Sequence, residues 1–172
     1  MAQTYRGDEH PIGRELGRAG QPGMSAHDLL DDDHNRVLQL FNQYENVKST
    51  ASPAEKNRLV REICRELTVH ATIEEEIYYP RVRRKADIDD RVSAAEDDHA
   101  LAKEMIRDIE SAATGDARFD GMLQALHDVV RDHISEERDG LFDVVETLGL
   151  NTPELARELY ARKQELLAQG GD

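Results

Sequence analysis

A chain of 172 residues, 38% hydrophobic and 34% charged, is long enough to enclose one domain-sized core. Its formal charge of −14, from 36 acidic and 22 basic residues, argues against a nucleic-acid partner, because proteins that bind phosphate backbones present basic surfaces. A single cysteine excludes an internal disulfide and a cysteine-type zinc site. No apolar run reaches the roughly 18 residues of a membrane span, and no signal-peptide core is present, so we expect a cytoplasmic protein without a membrane partner.

Residues 1–24 contain five glycines and two prolines among many charges and show no helical period. This composition predicts a flexible amino-terminal arm. The first predicted helix begins near Ser25 and ends near residues 48–50, and its apolar positions recur at steps of three and four.

The second predicted helix begins at Ser52-Pro53-Ala54-Glu55, a capping-box pattern with proline at the first helical position. Pro80 lies deep in the same helical pattern, which predicts a kink or an end there, because proline removes a backbone donor. The third helix is predicted to begin near residues 87–90 and to end near Gly115.

The fourth predicted helix ends at Gly149, and the Thr-Pro-Glu at 152–154 begins a short fifth helix. No β pattern competes with these helices. The sequence therefore predicts an all-α fold, an antiparallel up-down four-helix bundle over residues 25–150. We expect residues 151–172 to form a C-terminal helix that packs on the bundle without joining the functional site.

One ligand pattern occurs twice in the predicted helices: a histidine, then 34 or 36 residues later a second histidine with a glutamate four residues after it. On a helix, the spacing of four places the histidine and the glutamate on one face, one turn apart, close enough to bind one ion. The duplication indicates a two-metal site inside the bundle. The candidate ligands are His34, His70 and Glu74 in the first set, and His99, His133 and Glu137 in the second.

All six candidate ligands lie in the apolar stripe of their own helix. A buried glutamate without a partner costs several kcal/mol or becomes protonated, and a bound cation removes this cost. Imidazole and carboxylate without thiolate fit iron, manganese or zinc. Because three protein ligands per ion leave positions open for small molecules, iron is the metal that we expect.

Two other interpretations of these residues stay open. In a chain so rich in glutamate, one His-x3-Glu pair would arise by chance, so core histidines and surface ion pairs are one alternative. A ferritin-like carboxylate site is the other, and it would use Asp31 and Glu96, three residues before His34 and His99. Asp31 and Glu96 are otherwise candidates to orient the imidazoles, or solvated acids. Tyr78, four residues after Glu74, is a candidate to face the site or an ordinary core tyrosine.

At these residues the sequence resembles the hemerythrin-like family, in particular its HHE cation-binding domains, over roughly residues 26–148. The resemblance rests on Asp32-Asp33-His34-Asn35-Arg36, on the segment from His70 to Pro80, on Glu96-Asp97-Asp98-His99, and on His133-Ile134-Ser135-Glu136-Glu137. It implies two iron ions joined by an oxo or hydroxo bridge. His34, His70 and Glu74 would serve one iron, His99, His133 and Glu137 the other, and both glutamates would bridge.

Two positions depart from the oxygen-carrying members of that family. Lys103 and Arg138 stand where those members have a further histidine and an aspartate ligand. The resemblance therefore implies reaction with, or sensing of, a small oxidant or gas such as peroxide, dioxygen or nitric oxide, rather than oxygen transport. Hydrogen peroxide decomposition, as in a catalase, is the leading hypothesis. Non-enzymatic sensing, binding or storage of iron, oxygen or nitric oxide is the alternative.

Overall fold

The structure is a computed structural model that describes residues 23–85, 87–112 and 118–169. Every regular element within these residues is helical, so the all-α prediction is confirmed. The predicted arm over residues 1–24 lies outside the described residues except for its last two positions, and so does the predicted helix end near Gly115. No described helix combines the length and the hydropathy that crossing a bilayer requires.

Seven α-helical segments and two π-helical turns make up the described chain. A π-turn holds one more residue per turn than an α-helix and so shifts the side chains that follow it round the helix axis. In chain order the segments are α1 (Ala26–Val47), α2 (Pro53–Ile73), the first π-turn (Glu74–Tyr78), α3 (Tyr79–Arg83), α4 (Asp89–Ser111), α5 (Phe119–Glu136), the second π-turn (Glu137–Leu141), α6 (Phe142–Thr147) and α7 (Pro153–Gln169).

Local signals explain where the helices begin and end. Ser25 and Ser52 each form a capping box with the acidic residue three positions later, so the predicted starts of α1 and α2 are confirmed. Gly149 adopts the left-handed conformation, with φ of 65°, just after the C-cap Leu148 of α6, and the fourth bundle helix ends there as predicted.

The helix that contains Pro80 neither ends there nor remains a regular α-helix. The first π-turn occupies the residues just before Pro80, and α3 continues to Arg83. The interruption that the proline predicted is therefore a local π-turn within one continuous helix. The second π-turn interrupts the fourth bundle helix in the same way, and each π-turn begins at a candidate glutamate ligand.

Two apolar clusters form the interior. The first cluster includes Val37, Leu67, Ile106 and Val130, and the second includes Leu30, Ile73, Val92 and Leu141. The chain runs from the second cluster to the first along α1 and α4, and in the reverse direction along α2 and α5. This alternation is the antiparallel up-down bundle of the prediction, which is confirmed. Each of these four helices crosses the layer between the clusters, and the candidate ligands lie in that layer.

The C-terminal helix α7 packs against α1 and α2. Leu155, Ala156 and Leu159 on its inner face are buried with the second cluster. Ion pairs fasten the same helix, because Arg81 contacts Glu158 at 2.5 Å and Arg162 contacts Glu76 at 2.7 Å. α7 is thus held by apolar burial and by charge at several points along its length.

Replacing Leu159 with alanine should lower the free energy of unfolding by about 2–5 kcal/mol, because Leu159 is fully buried and the change leaves a cavity. Leu148→Ala is the matched control, since that leucine is 38% exposed and should cost less than about 1 kcal/mol. Urea unfolding monitored by circular dichroism measures both. Equally small effects would show that α7 does not unfold together with the bundle.

Candidate metal centre

The structure brings all six candidate ligands into one buried layer between the two apolar clusters. Their relative exposures range from 0% for Glu74 to 7% for His70 and His133. Each of the four long bundle helices contributes one histidine, and each π-turn contributes its first residue. The six residues are His34, His70, Glu74, His99, His133 and Glu137.

The histidines are arranged in two pairs. The Nε2 atoms of His34 and His70 are 3.1 Å apart, and those of His99 and His133 are 3.2 Å apart. Glu74 lies between the pairs, because its Oε2 atom is 3.2 Å from His70 Nε2 and 3.3 Å from His99 Nε2. The pairs therefore form two half-sites, and one carboxylate connects them.

Glu137 reaches across the centre in the opposite direction. It follows His133 in the sequence, yet its Oε2 atom is 3.3 Å from His34 Nε2, in the other half-site. Two overlapping groups of ligand atoms, each spanning no more than 4.8 Å, result from this arrangement. The groups share His70 and Glu74; His99 and His133 complete one, and His34 and Glu137 complete the other.

Several buried polar atoms at this centre have no hydrogen-bond partner in the part of the chain that the structure describes. They include Glu74 Oε1 and Glu137 Oε2. Leaving such groups unpaired costs about 1–3 kcal/mol each, and more for a charged group. Carboxylate oxygens and imidazole nitrogens converge at this centre, and there are too few hydrogen-bond donors among them. A bound cation would satisfy these atoms. The donor set therefore fits a metal ion.

The charges of the centre are strongly coupled. Burial disfavours the ionised Glu74 carboxylate, but His70 and His99 outweigh it and hold the pKa of Glu74 well below its usual range. Burial likewise opposes the charged imidazole of His70, but Glu74 and Asp33 raise the pKa of His70 to about 10. Without a metal, protons thus supply positive charge at this site, and a bound cation would replace them.

Every candidate histidine faces a carboxylate on the side of the ring turned away from the centre. Of these four pairs, Glu75 and His99 are joined by a hydrogen bond, and there the ionised carboxylate, which can only accept, favours the tautomer with hydrogen on Nδ1 and leaves the Nε2 lone pair for a metal. Nδ1 of His34 and of His70 has no hydrogen-bond partner among the described residues. The separations from Nδ1 are 3.6 Å for Asp31 and His34, 3.7 Å for Asp33 and His70, 3.1 Å for Glu75 and His99, and 3.4 Å for Asp98 and His133.

Of the three residues predicted to support the ligands, the structure places only Asp31 beside a candidate ligand. Glu96 instead receives two hydrogen bonds from Arg83, at 2.5 and 2.9 Å, and takes no part in the centre. The ferritin-like alternative, which needs Glu96, therefore lacks one of its carboxylates. Tyr78 is buried, but its hydroxyl pairs with His27 Nε2 at 2.9 Å rather than with a glutamate ligand.

Sequence reasoning missed three of the four supporting carboxylates. Asp33 and Asp98 each come directly before a candidate histidine in the sequence, but each faces the histidine of a neighbouring helix. The repeated Asp-His dipeptide was a signal for them. Glu75 follows a ligand glutamate directly, and nothing in its spacing indicated that it would reach His99 from another helix.

Tyr79, not Tyr78, is the tyrosine of the centre. Its hydroxyl lies 3.2 Å from Glu74 Oε2 and 3.2 Å from Glu137 Oε1, so one hydrogen serves both glutamates. The expectation for Tyr78 assumed α-helical spacing, in which the side chain four residues later lies beneath the glutamate. The π-turn moves that position to the fifth residue, so of the two interpretations of Tyr78 the structure supports the buried core tyrosine.

The second π-turn places Phe142 in the equivalent position, five residues after Glu137. Phe142 stacks near His34, with ring centroids 6.1 Å apart, as Tyr79 stacks near His99 at 5.6 Å. The two halves of the centre therefore repeat in geometry but differ in chemistry, because a hydroxyl group is present on one side only.

A cavity adjoins the histidines on the side of the first apolar cluster. Much of its wall is aliphatic, and Asp33, Asp98 and Lys103 are polar residues on it besides the histidines. A small molecule in this cavity would meet both histidine pairs, since all four rings line it. Aliphatic members of its wall are Val37, Leu67, Ile106, Val130 and Ile134.

Comparison with known protein families agrees with this geometry. The family model described as the hemerythrin HHE cation binding domain matches residues 25–145. The chain belongs to this family. The match covers the four bundle helices and all six candidate ligands, so the suspected resemblance is confirmed. A hemerythrin HHE domain is a metal-binding unit, and the residues that fit a metal here are the buried histidines and glutamates.

Individual proteins similar to this hemerythrin HHE chain span several organisms. A protein of Nostoc sp. named DNA nickase is 28% identical over 145 residues, and an uncharacterized hemerythrin-like protein of Schizosaccharomyces pombe is 28% identical over 112. These matches cover 83% and 64% of this chain but only 40% and 54% of those relatives. The crystal structure of an HHE cation-binding domain protein from Mycobacterium kansasii superposes with a TM-score of 0.68 at 18% identity, over 84% of this chain and 88% of that one, which shows the shared fold.

Replacing Tyr79 with phenylalanine should weaken metal retention by about 10–100-fold, because both glutamates lose the donor that holds them. Tyr78→Phe is the matched control, since it removes the neighbouring buried hydroxyl that pairs with His27 instead. Competition with a chelator, followed by metal analysis, measures both variants. If Tyr78→Phe lost metal as readily as Tyr79→Phe, the hydroxyl between the glutamates would have no particular role.

Proposed function

We propose that this protein is a non-haem di-iron protein that reacts with a small oxidant, most concretely by decomposing hydrogen peroxide to water and dioxygen. The observation that carries the proposal is the pair of histidine half-sites connected by Glu74. In the arrangement that this geometry supports, His34 and His70 would hold one iron, His99 and His133 would hold the other, and Glu74 and Glu137 would serve both half-sites.

The ligands and the electron count favour a redox-active metal such as iron over zinc. Imidazole and carboxylate suit iron, manganese and zinc, but zinc has no redox chemistry. Disproportionation of two peroxide molecules into two waters and one dioxygen moves two electrons, and a pair of iron ions supplies two when bound. Iron therefore fits the reaction better than zinc.

The chain's own residues prepare the centre for this chemistry. Glu75 holds the His99 ring with Nε2 towards the centre, and Tyr79 donates to both glutamates. The apolar clusters on both sides limit access of bulk water, and they strengthen electrostatic interactions within the layer. These groups would bind, orient and shield the metal ions.

Lys103 and Arg138 favour turnover over oxygen carriage. The side chain of Lys103 contacts Glu75, and that of Arg138 contacts Asp31, so neither points its charge at the ligand atoms of the centre. Fewer protein ligands than in an oxygen carrier leave more positions for exchangeable small molecules. Peroxide could then approach both metal positions from the cavity.

A second candidate function draws on the aliphatic wall of that cavity. Apolar walls favour dioxygen or nitric oxide over peroxide, because a polar molecule loses hydrogen bonds with water on entering. A non-enzymatic sensor or binder of a diatomic gas would use the same centre. Storage or sensing of iron itself is a further form of this alternative, but the cavity gives it no specific support.

The name of the Nostoc relative does not supply a function for this chain. The match spans 40% of that protein, so the activity in its name is not assigned to the part that this chain resembles. A DNA substrate would also have to approach a chain with a net charge of −14, which repels phosphate. We therefore do not extend nickase activity to this protein.

The purified, iron-loaded protein should hold about two irons per chain, as the two half-sites require. Glu74→Ala should reduce the iron content most, because Glu74 serves both half-sites. His127→Ala is the control, since His127 stacks on Phe41 away from the centre and should keep the full content. Iron determination by plasma emission spectrometry gives the numbers; one firmly held zinc, or no metal after reconstitution, contradicts the proposal.

Hydrogen peroxide added to the iron-loaded protein should evolve dioxygen at half the rate of peroxide loss. The activity should fall at least tenfold in His133→Ala, which removes one ligand, and persist in His127→Ala. An oxygen electrode measures the dioxygen released, and the absorbance of peroxide at about 240 nm, recorded at the same time, measures the peroxide consumed. If peroxide persists while the reduced protein forms a long-lived adduct that returns oxygen under vacuum, the gas-binding alternative is the correct one.

A further inference from the structure

A lysine lies at the end of a chain of contacts that leads to one of the candidate ligands. Lys103 Nζ donates to both carboxylate oxygens of Glu75, at 2.7 and 2.6 Å. Glu75 Oε1 in turn lies 3.1 Å from His99 Nδ1. The contacts thus run from the Lys103 ammonium to the Glu75 carboxylate, then to the His99 imidazole, which faces the centre. They connect α4 to the first π-turn.

The state of each group follows from its neighbours. Lys103 donates to both oxygens of Glu75, and a carboxylate in such a charge-assisted pair is ionised. Glu75 is therefore an anion that accepts from His99 Nδ1, and the Nε2 lone pair of His99 faces the centre. The more strongly the carboxylate attracts that hydrogen, the more electron density the imidazole can give to a metal.

A cation on the carboxylate limits this effect. Lys103 competes with the imidazole hydrogen for the negative charge of Glu75, so His99 remains a weaker donor than it would be beside a free carboxylate. Weaker donation stabilises the reduced form of a redox metal relative to the oxidised form. The contact between Lys103 and Glu75 is therefore placed to raise a reduction potential.

Similar arrangements are found behind two other histidines. Arg138 Nε contacts Asp31 at 2.6 Å, and Asp31 lies behind His34. Lys163 of α7 contacts Asp33, which lies behind His70. In these two cases the separation between carboxylate and imidazole exceeds 3.5 Å, so the chain through Lys103 is the one closed by hydrogen bonds at every step.

We propose that Lys103 is a positioning residue that acts through Glu75 on His99 and raises the reduction potential of the metal centre. The proposal rests on the proposed function, because it requires a redox-active iron pair. It assigns a purpose to a lysine that binds no metal and that lies on the wall of the cavity. Repeated oxidation and reduction by peroxide needs a potential at which neither form is too stable, and this contact helps to set that potential.

Redox titration of the full-length, iron-loaded protein tests the proposal. Lys103→Met should shift the midpoint potential to a more negative value, because Glu75 then attracts the His99 hydrogen more strongly. Lys103→Arg, which restores the cation, should return the potential close to that of the unaltered protein. In the background Glu75→Gln, the change Lys103→Met should cause little further shift, because the connecting carboxylate is gone.

Arg83→Met is the control for charge alone. Arg83 pairs with Glu96, one turn before His99, and its side chain is 31% exposed, against 33% for Lys103. An equal shift in Arg83→Met, or an undiminished effect of Lys103→Met in the Glu75→Gln background, would mean that Lys103 acts only through space and would overturn the proposal.

Measurement of the midpoint potential distinguishes a failure of this inference from a failure of the proposed function on which it rests. An unchanged potential in Lys103→Met, measured on protein that holds two irons and consumes peroxide, refutes the inference and leaves the function standing. A protein that holds no iron refutes the proposed function and the inference together. Changes in activity alone decide nothing here, because Lys103 also lines the cavity through which substrate would enter.

Discussion

Four histidines and two glutamates buried between two apolar clusters are the constraint on which the rest of the structure depends. Such groups are costly in a helical interior unless each is paired, and the molecule pairs them in layers. The glutamates face the histidines, and carboxylates lie behind the imidazoles. Basic side chains then contact three of those carboxylates: Lys103 of α4, Arg138 of the second π-turn and Lys163 of α7. Charge is thus compensated step by step from the centre towards the surface.

The π-turns are the local device that makes this layering possible. In the first turn three consecutive glutamates have three different partners: Glu74 faces the centre, Glu75 contacts His99, and Glu76 pairs with Arg162 of α7. A regular α-helix would distribute those side chains differently and would place Tyr78, rather than Tyr79, beneath Glu74. Helices with π-turns are often found at functional sites, and here both turns begin at a candidate ligand.

The C-terminal helix has a closer relation to the centre than its distance in sequence implies. It lies beyond the segment that the family model matches, and we expected it to pack on the bundle without joining the site. Its consecutive residues Arg162 and Lys163 contact Glu76, two positions after Glu74, and Asp33, one position before His34. The interior of this domain is therefore completed by residues outside the bundle.

The sequence by itself determined the helical class, the up-down bundle and the six candidate ligands. These depend on short-range periodicity, and a polar residue in an apolar stripe is visible within its own helix. The partners of those ligands were decided by the tertiary structure. Asp33 and Asp98 face histidines of neighbouring helices, so no spacing within one helix could show which histidine each of them meets. Tyr79, rather than Tyr78, meets the glutamates because a π-turn changes the local period. The periodicity within each helix thus specifies which side chains are buried, whereas packing between helices specifies which partner each buried polar group contacts.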